Sequence, residues 1–177
     1  MRRCGECQLC CKLLPVKSLD KPGGKTCSHQ KFRKGCAIYG SARMPMECRV
    51  WNCRWLVNDD AAELSRPDRA HYVIDVMPDF VTLRDNESGE MRNIEVVQIW
   101  VDPHFPDAHR DPALRRWLHA RAERGIAALI RFNERDAIAV FAPPFDAAGQ
   151  WHEIDSGIER QSTHSFADIV AALGSEP

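Results

Sequence analysis

All eight cysteines of this 177-residue chain fall within its first 53 positions. The first four form Cys4-x2-Cys7-x2-Cys10-Cys11, and Cys27, Cys36, Cys48 and Cys53 follow. So many thiols have three fates: disulfides, inert burial, or metal. The even count permits disulfides. Cys10 and Cys11 argue against them, because a vicinal disulfide strains the peptide link between its residues. The opening residues Met1-Arg2-Arg3-Cys4-Gly5-Glu6-Cys7 contain no apolar stretch of a secretory signal. A cytoplasmic setting is therefore expected, and thiols stay reduced there. Metal remains, and the spacing suits it. Cysteines separated by two residues direct both sulfurs at one ion from a tight turn, where backbone N–H groups also reach them.

Thiolates select zinc, copper(I) or iron–sulfur centres. Eight could fill two four-coordinate zinc sites. They could equally hold one iron–sulfur cluster of the 4Fe-4S type plus a zinc, or one cluster with thiols to spare. The run Cys4-x2-Cys7-x2-Cys10 resembles the start of a ferredoxin motif, but Cys11 follows where that motif has x3-Cys-Pro. The distant Cys-x2-Cys pairs of a zinc ribbon are absent too. The candidate metal ligands are thus Cys4, Cys7, Cys10, Cys11, Cys27, Cys36, Cys48 and Cys53. His29 is a further imidazole candidate, although eight thiols leave it a supporting or surface place. Trp51 and Trp55 flank Cys53 and read first as core aromatics, which would also shield a metal centre from water.

Charge divides the chain at the same place. Residues 1–54 carry 12 Lys/Arg against 3 Asp/Glu, a balance of +9, and all six lysines lie at or before Lys34. The remainder carries 12 Arg against 22 Asp/Glu, a balance of −10. Residues 1–56 are expected to form a Cys-rich metal-binding region, and residues 57–177 an acidic α+β accessory region. Basic residues near thiols lower their pKa and donate hydrogen bonds to sulfur. They are scattered here and not gathered in runs, so a nucleic-acid partner is not expected. No apolar run approaches the roughly 18 residues of a membrane span. The acidic region is the surface left for a protein partner.

The N-terminal segments also carry a family resemblance. Cys4-Gly5-Glu6-Cys7-Gln8-Leu9-Cys10-Cys11-Lys12-Leu13 is similar to the opening of the CxxCxxCC family of zinc- or iron-chelating cysteine-cluster proteins (YkgJ-type). Lys21-Pro22-Gly23-Gly24-Lys25-Thr26-Cys27-Ser28-His29, Gly35-Cys36-Ala37-Ile38-Tyr39 and Cys48-Arg49-Val50-Trp51-Asn52-Cys53-Arg54-Trp55 resemble its later segments in order. Arg43-Met44-Pro45 departs from it, since the family has Arg directly before Pro. The resemblance covers residues 4–55 and implies chelation of zinc or iron by these cysteines. Related cysteine motifs in flagellin lysine methylases imply an iron–sulfur cluster. Glycine and proline break this region repeatedly, so loops are expected, with a short helix near residues 10–14. About 55 residues build only a marginal apolar core, and metal would supply much of the folding energy.

The acidic region reads as an antiparallel sheet with two or three helices. Residues 58–67 read as a short helix or linker ending before Pro67. Runs at 72–76, 80–83 and 94–101 suggest an antiparallel meander with turns at 77–79 and 85–90. Residues 102–110 read as a loop whose His104, His109, Asp102 and Asp107 are ordinary loop residues. Asp111-Pro112 caps a helix running to about Arg124, with Leu114, Trp117, Leu118 and Ala122 on its apolar face. Arg115, Arg116, Arg121 and Arg124 lie mostly off that face; they read as solvated charge, with an anion-binding face as the alternative. Strands are expected at 126–132 and 137–141 around a turn, a short one at 151–154, and a last amphipathic helix on Phe166, Ile169, Val170 and Leu173. No phosphate-binding or hydrolase motif occurs.

Three functions stay open at this level. The first is a metal-binding protein acting as chelator, carrier or metal-dependent accessory. The second is an iron or iron–sulfur enzyme with its centre in the Cys-rich region, for which an open coordination position would be needed. The third is a zinc-stabilised nucleic-acid or protein adaptor.

Overall fold

The computed structural model describes residues 2–84, 88–145 and 148–155, which form an α+β fold. The N-terminal part is turns and short elements. Helix α1 (Leu9–Leu13) carries Cys10 and Cys11. Strands β1 (Gln30–Lys31) and β2 (Gly35–Cys36) make a small hairpin, which Gly35 permits by adopting a φ of 90°. Helix α2 (Met46–Val50) carries Cys48, and α3 (Arg54–Val57) starts directly after Cys53. Two side chains hold the loops between them. Lys21 is buried and donates to the carbonyls of Lys12, Leu14 and Pro22, which engages all three of its N–H groups. Arg49 donates to Met44 O at 2.9 Å and Ser41 O at 2.7 Å, pinning the loop before Pro45.

A 3-10 turn at Asp59–Ala61 leads to α4 (Pro67–Ala70). Pro67 therefore starts a helix and does not follow one. Its missing N–H costs nothing in a first turn, where that group has no intrahelical acceptor.

The sheet has six strands: β3 (Tyr72–Ile74), β4 (Asp79–Arg84), β5 (Met91–Val101), β6 (Ala127–Arg131), β7 (Ala137–Phe141) and β8 (His152–Asp155). It is mixed, which corrects the wholly antiparallel expectation. β5 and β6 run parallel, with Val96 opposite Ala127 and Trp100 opposite Arg131. The helix between them, α5 (Pro112–Ala122), supplies the crossover that a parallel pair requires. The expected three-strand meander is also corrected. β3 and β4 do not pair with each other; both lie antiparallel along one side of β5, end to end. Residues 75–78 bridge them opposite only Val97 and Gln98, so the edge bulges outward. The expected hairpins β6–β7 and β7–β8 are present. Residues 85–87 of the turn and the last expected helix, at 165–173, lie outside the described residues.

The two faces of β5 have different partners. Val97, Ile99 and Val101 point with Tyr72 and Ile74 toward α5, where Leu114, Trp117 and Leu118 complete a core. Asp111 caps α5, accepting from Ala113 N–H at 2.8 Å. On the opposite face, Val73 and Trp100 pack with Leu9, Leu13 and Cys53. The Cys-rich region thus sits on the sheet face away from α5. Trp55 touches both clusters, where the chain passes round the β3 edge. Among the described residues, no helix is long and apolar enough to cross a membrane.

A buried ion pair ties α1 to the sheet. Lys12 donates to both Asp102 oxygens, at 2.8 and 2.7 Å, and Asp102 is 4 % exposed. Burial alone would raise the Asp102 carboxyl, but the bonds from Lys12 and His104 outweigh it and hold it below the usual carboxylate range. The folded value lies below the unfolded value of about 4, so the contribution is complete above that pH and is lost as pH falls through the folded value. Asp102→Asn is expected to cost about 1.5–3 kcal/mol at neutral pH. Its deficit relative to the parent should close in acid. Urea unfolding at neutral and acid pH measures both; an unchanged midpoint at neutral pH would refute the contribution.

Candidate metal centre

The turn Cys4-Gly5-Glu6-Cys7 is closed by Cys7 N–H to Cys4 O at 2.9 Å, with Gly5 at a φ of 54°. One helical step later, α1 presents Cys10. Cys53 arrives from the other end of the region, held by a β-bridge to Asp75 in the bulge. These four cysteines line one cavity of about 10 Å³, walled by Trp55, Leu56 and Val73. That volume is roughly one water-sized sphere. Backbone N–H groups of Leu9 and Asp68 reach the Cys7 sulfur, and those of Trp55 and Leu56 reach Cys53. This is the N–H support that a thiolate ligand uses.

Burial sets the protonation of this group. It pushes Cys53 up to about 11 against the opposing N–H bonds. It also raises Cys4, where Cys11 adds and the Arg66 guanidinium opposes, and it raises Cys7. A thiolate in such a wall needs counter-charge, which a bound cation would add to that of Arg66.

The other four cysteines are linked through the backbone and through charge. Cys27 N–H donates to Cys11 O at 3.1 Å. Cys36 is on β2, whose hairpin begins three residues after Cys27. Cys48 is pushed up to about 11 by burial first, then by the like charges of Cys11, Cys27 and Cys36 around it. Lys21 is the cation near Cys27 and Cys11. The vicinal pair joins the two groups. The Cys10 thiol donates to Cys11, which lowers Cys11 to about 7 and raises Cys10.

Cys4, Cys7, Cys10 and Cys53 thus share one cavity, while Cys11, Cys27 and Cys36 lie near enough to Cys48 to act on its charge, and Cys11 acts on Cys4 as well. All eight are free thiols. Among the described residues, no group of three or more His, Cys, Asp or Glu side chains is placed to hold a metal ion. What the structure shows is four sulfurs, of the donor type that soft cations take, on one small cavity, with backbone N–H groups directed at two of them. His29 contributes its carbonyl to the hairpin, accepting from Ala37 N–H at 2.8 Å. Trp51 and Trp55 pack around the first group, and Trp100 joins them from the sheet.

Sequence reasoning missed several neighbours. Arg66 stands beside Cys4 and Cys7, where it pairs with Asp68 at 2.6 Å. Val73, Trp100 and the Asp75 bridge come from the acidic region. Arg66 lies in that acidic region too, and no local pattern marked it or the others. No protein-family model, no curated protein and no solved structure matches this chain.

Proposed function

We propose that this chain is a metal-binding protein that holds zinc or iron through its eight cysteines, in two groups of four. The observation that carries this reading is the cavity lined by Cys4, Cys7, Cys10 and Cys53 under an apolar wall. The resemblance of residues 4–55 to the chelating cysteine-cluster family supports the same chemistry. Cys11, Cys27, Cys36 and Cys48 form the second group. A bound zinc ion would supply a cross-link between distant segments, and an iron–sulfur cluster would add one-electron chemistry.

The chain's own residues do the rest. Gly5 and α1 place three of the first four sulfurs, and the Asp75 bridge places the fourth. N–H groups of Leu9, Asp68, Trp55 and Leu56 support thiolate charge at Cys7 and Cys53. Arg66 and Lys21 add one positive side chain to each group. Trp55, Leu56 and Val73 form the apolar wall beside the first group, in which Cys53 is buried and Cys4 exposed.

Anaerobic purification with elemental analysis and a visible spectrum tests this reading. The expected result is about two zinc ions per chain, or iron with inorganic sulfide and broad absorption near ~400 nm. A colourless protein that retains neither metal, and takes up neither when reconstituted under reducing conditions, would overturn it.

A further inference from the structure

A second cavity, of about 180 Å³, opens beside Arg54, the residue that follows Cys53. Its polar wall is Arg54, Arg121 and Arg124, with Asp60 and Glu95. Residues 76–78 of the bulge form part of its floor. Three cations face two carboxylates in a region whose overall balance is strongly negative.

The guanidiniums are only partly engaged within the chain. Arg54 and Arg121 both donate to the same Asp60 oxygen, Oδ2. Arg121 also donates to Trp117 O at 3.1 Å and lies over the Trp117 ring at 3.1 Å from its centroid. Each guanidinium has five N–H groups, so donors remain on both. Arg124 is exposed and has no ion pair among the described residues. Burial lowers Arg121 to about 10; Asp60 opposes this, while the neighbouring Arg54 and Arg124 charges add to it. A second anion in the cleft would relieve that repulsion.

We propose that this cleft binds a small oxyanion, a phosphate or carboxylate group, between Arg54, Arg121 and Arg124. Planar guanidiniums suit such a ligand, because they offer two parallel N–H bonds to its oxygens. The bulge is what makes room: had residues 75–78 paired regularly along β5, the edge strand would fill the space. None of these residues is a cysteine, so the inference stands or falls apart from the metal reading.

Calorimetric titration of the full chain, as purified with any bound metal, tests it with inorganic phosphate and with succinate as probes. Saturable binding of at least one is expected, and the one that binds identifies the group recognised. Arg124→Ala should weaken it by about tenfold or more. Arg124 supports no internal bond, so this variant should fold. Arg116→Ala removes the same charge from α5 outside the cleft and should leave binding unchanged. The proposal is overturned if neither probe saturates, if Arg124→Ala binds like the parent, or if Arg116→Ala loses as much. The last result would mean that only overall charge attracts the anion.

Discussion

Replacing Cys10 and Cys11 together by serine is expected to remove metal from both cysteine groups and to loosen the N-terminal region, while the sheet stays folded. The two residues are adjacent in α1 but face different groups. In the proposed arrangement Cys10 serves with Cys4, Cys7 and Cys53, whose cavity it lines, and Cys11 with Cys27, Cys36 and Cys48, near which it lies. Each single variant should therefore lose one group's metal and keep the other's. Structural zinc contributes on the order of 10 kcal/mol in small domains, so the double variant should lose most of the order in residues 2–55. Metal content per chain, read with limited proteolysis, measures this. If the double variant keeps parental metal content and thermal stability, those two thiols are not ligands. If each single variant loses all metal, the division into two groups fails and the eight sulfurs act as one unit.

The second large effect belongs to Trp100, which lies on β5 but packs against Leu9, Leu13, Cys53 and Val73. It is 4 % exposed, with Arg131 stacked over its ring at 5.0 Å. Trp100→Ala should cost about 3–5 kcal/mol, from lost burial plus the cavity left behind. For a chain of this size that corresponds to a fall in Tm on the order of 10 °C. The loss should be felt first in the Cys-rich region, which rests on this ring. Thermal unfolding followed by near-UV and far-UV circular dichroism measures it. A Tm within a degree or two of the parent would mean that the two regions are held together mainly by polar contacts such as Lys12–Asp102.

Local patterns were legible in the sequence. The spacing of Leu114, Trp117, Leu118 and Ala122 predicts the buried face of α5, and all four are buried. The runs around residues 133–136 predict the β6–β7 hairpin, and Asn133 closes its turn by accepting from Asp136 N–H at 2.8 Å. What escaped depends on partners far apart in the chain. Parallel pairing of β5 with β6 follows from where α5 packs, not from either strand's residues. The turn residues Met77-Pro78-Asp79 suit a hairpin as well as they suit a bulge. The division of the cysteines depends on how residues 27–48 return to α1, which spacing does not encode. Arg121 and Arg124 read as solvated charge on a helix, because nothing local to α5 reveals that Arg54 and Asp60 come to meet them.

The bulge at residues 75–78 also decides how the sheet edge meets other chains. An uninterrupted β3–β4 strand would offer a long row of unpaired backbone groups, an open template for another strand. Here the row is cut in the middle. Cys53 pairs with Asp75, and α1 and α3 pack against β3, so along this edge, among the described residues, β4 is the stretch left open, with Phe80 and Leu83 exposed. The departure from regular pairing that seats the last cysteine therefore also shortens the stretch through which two copies of this chain could join edge to edge.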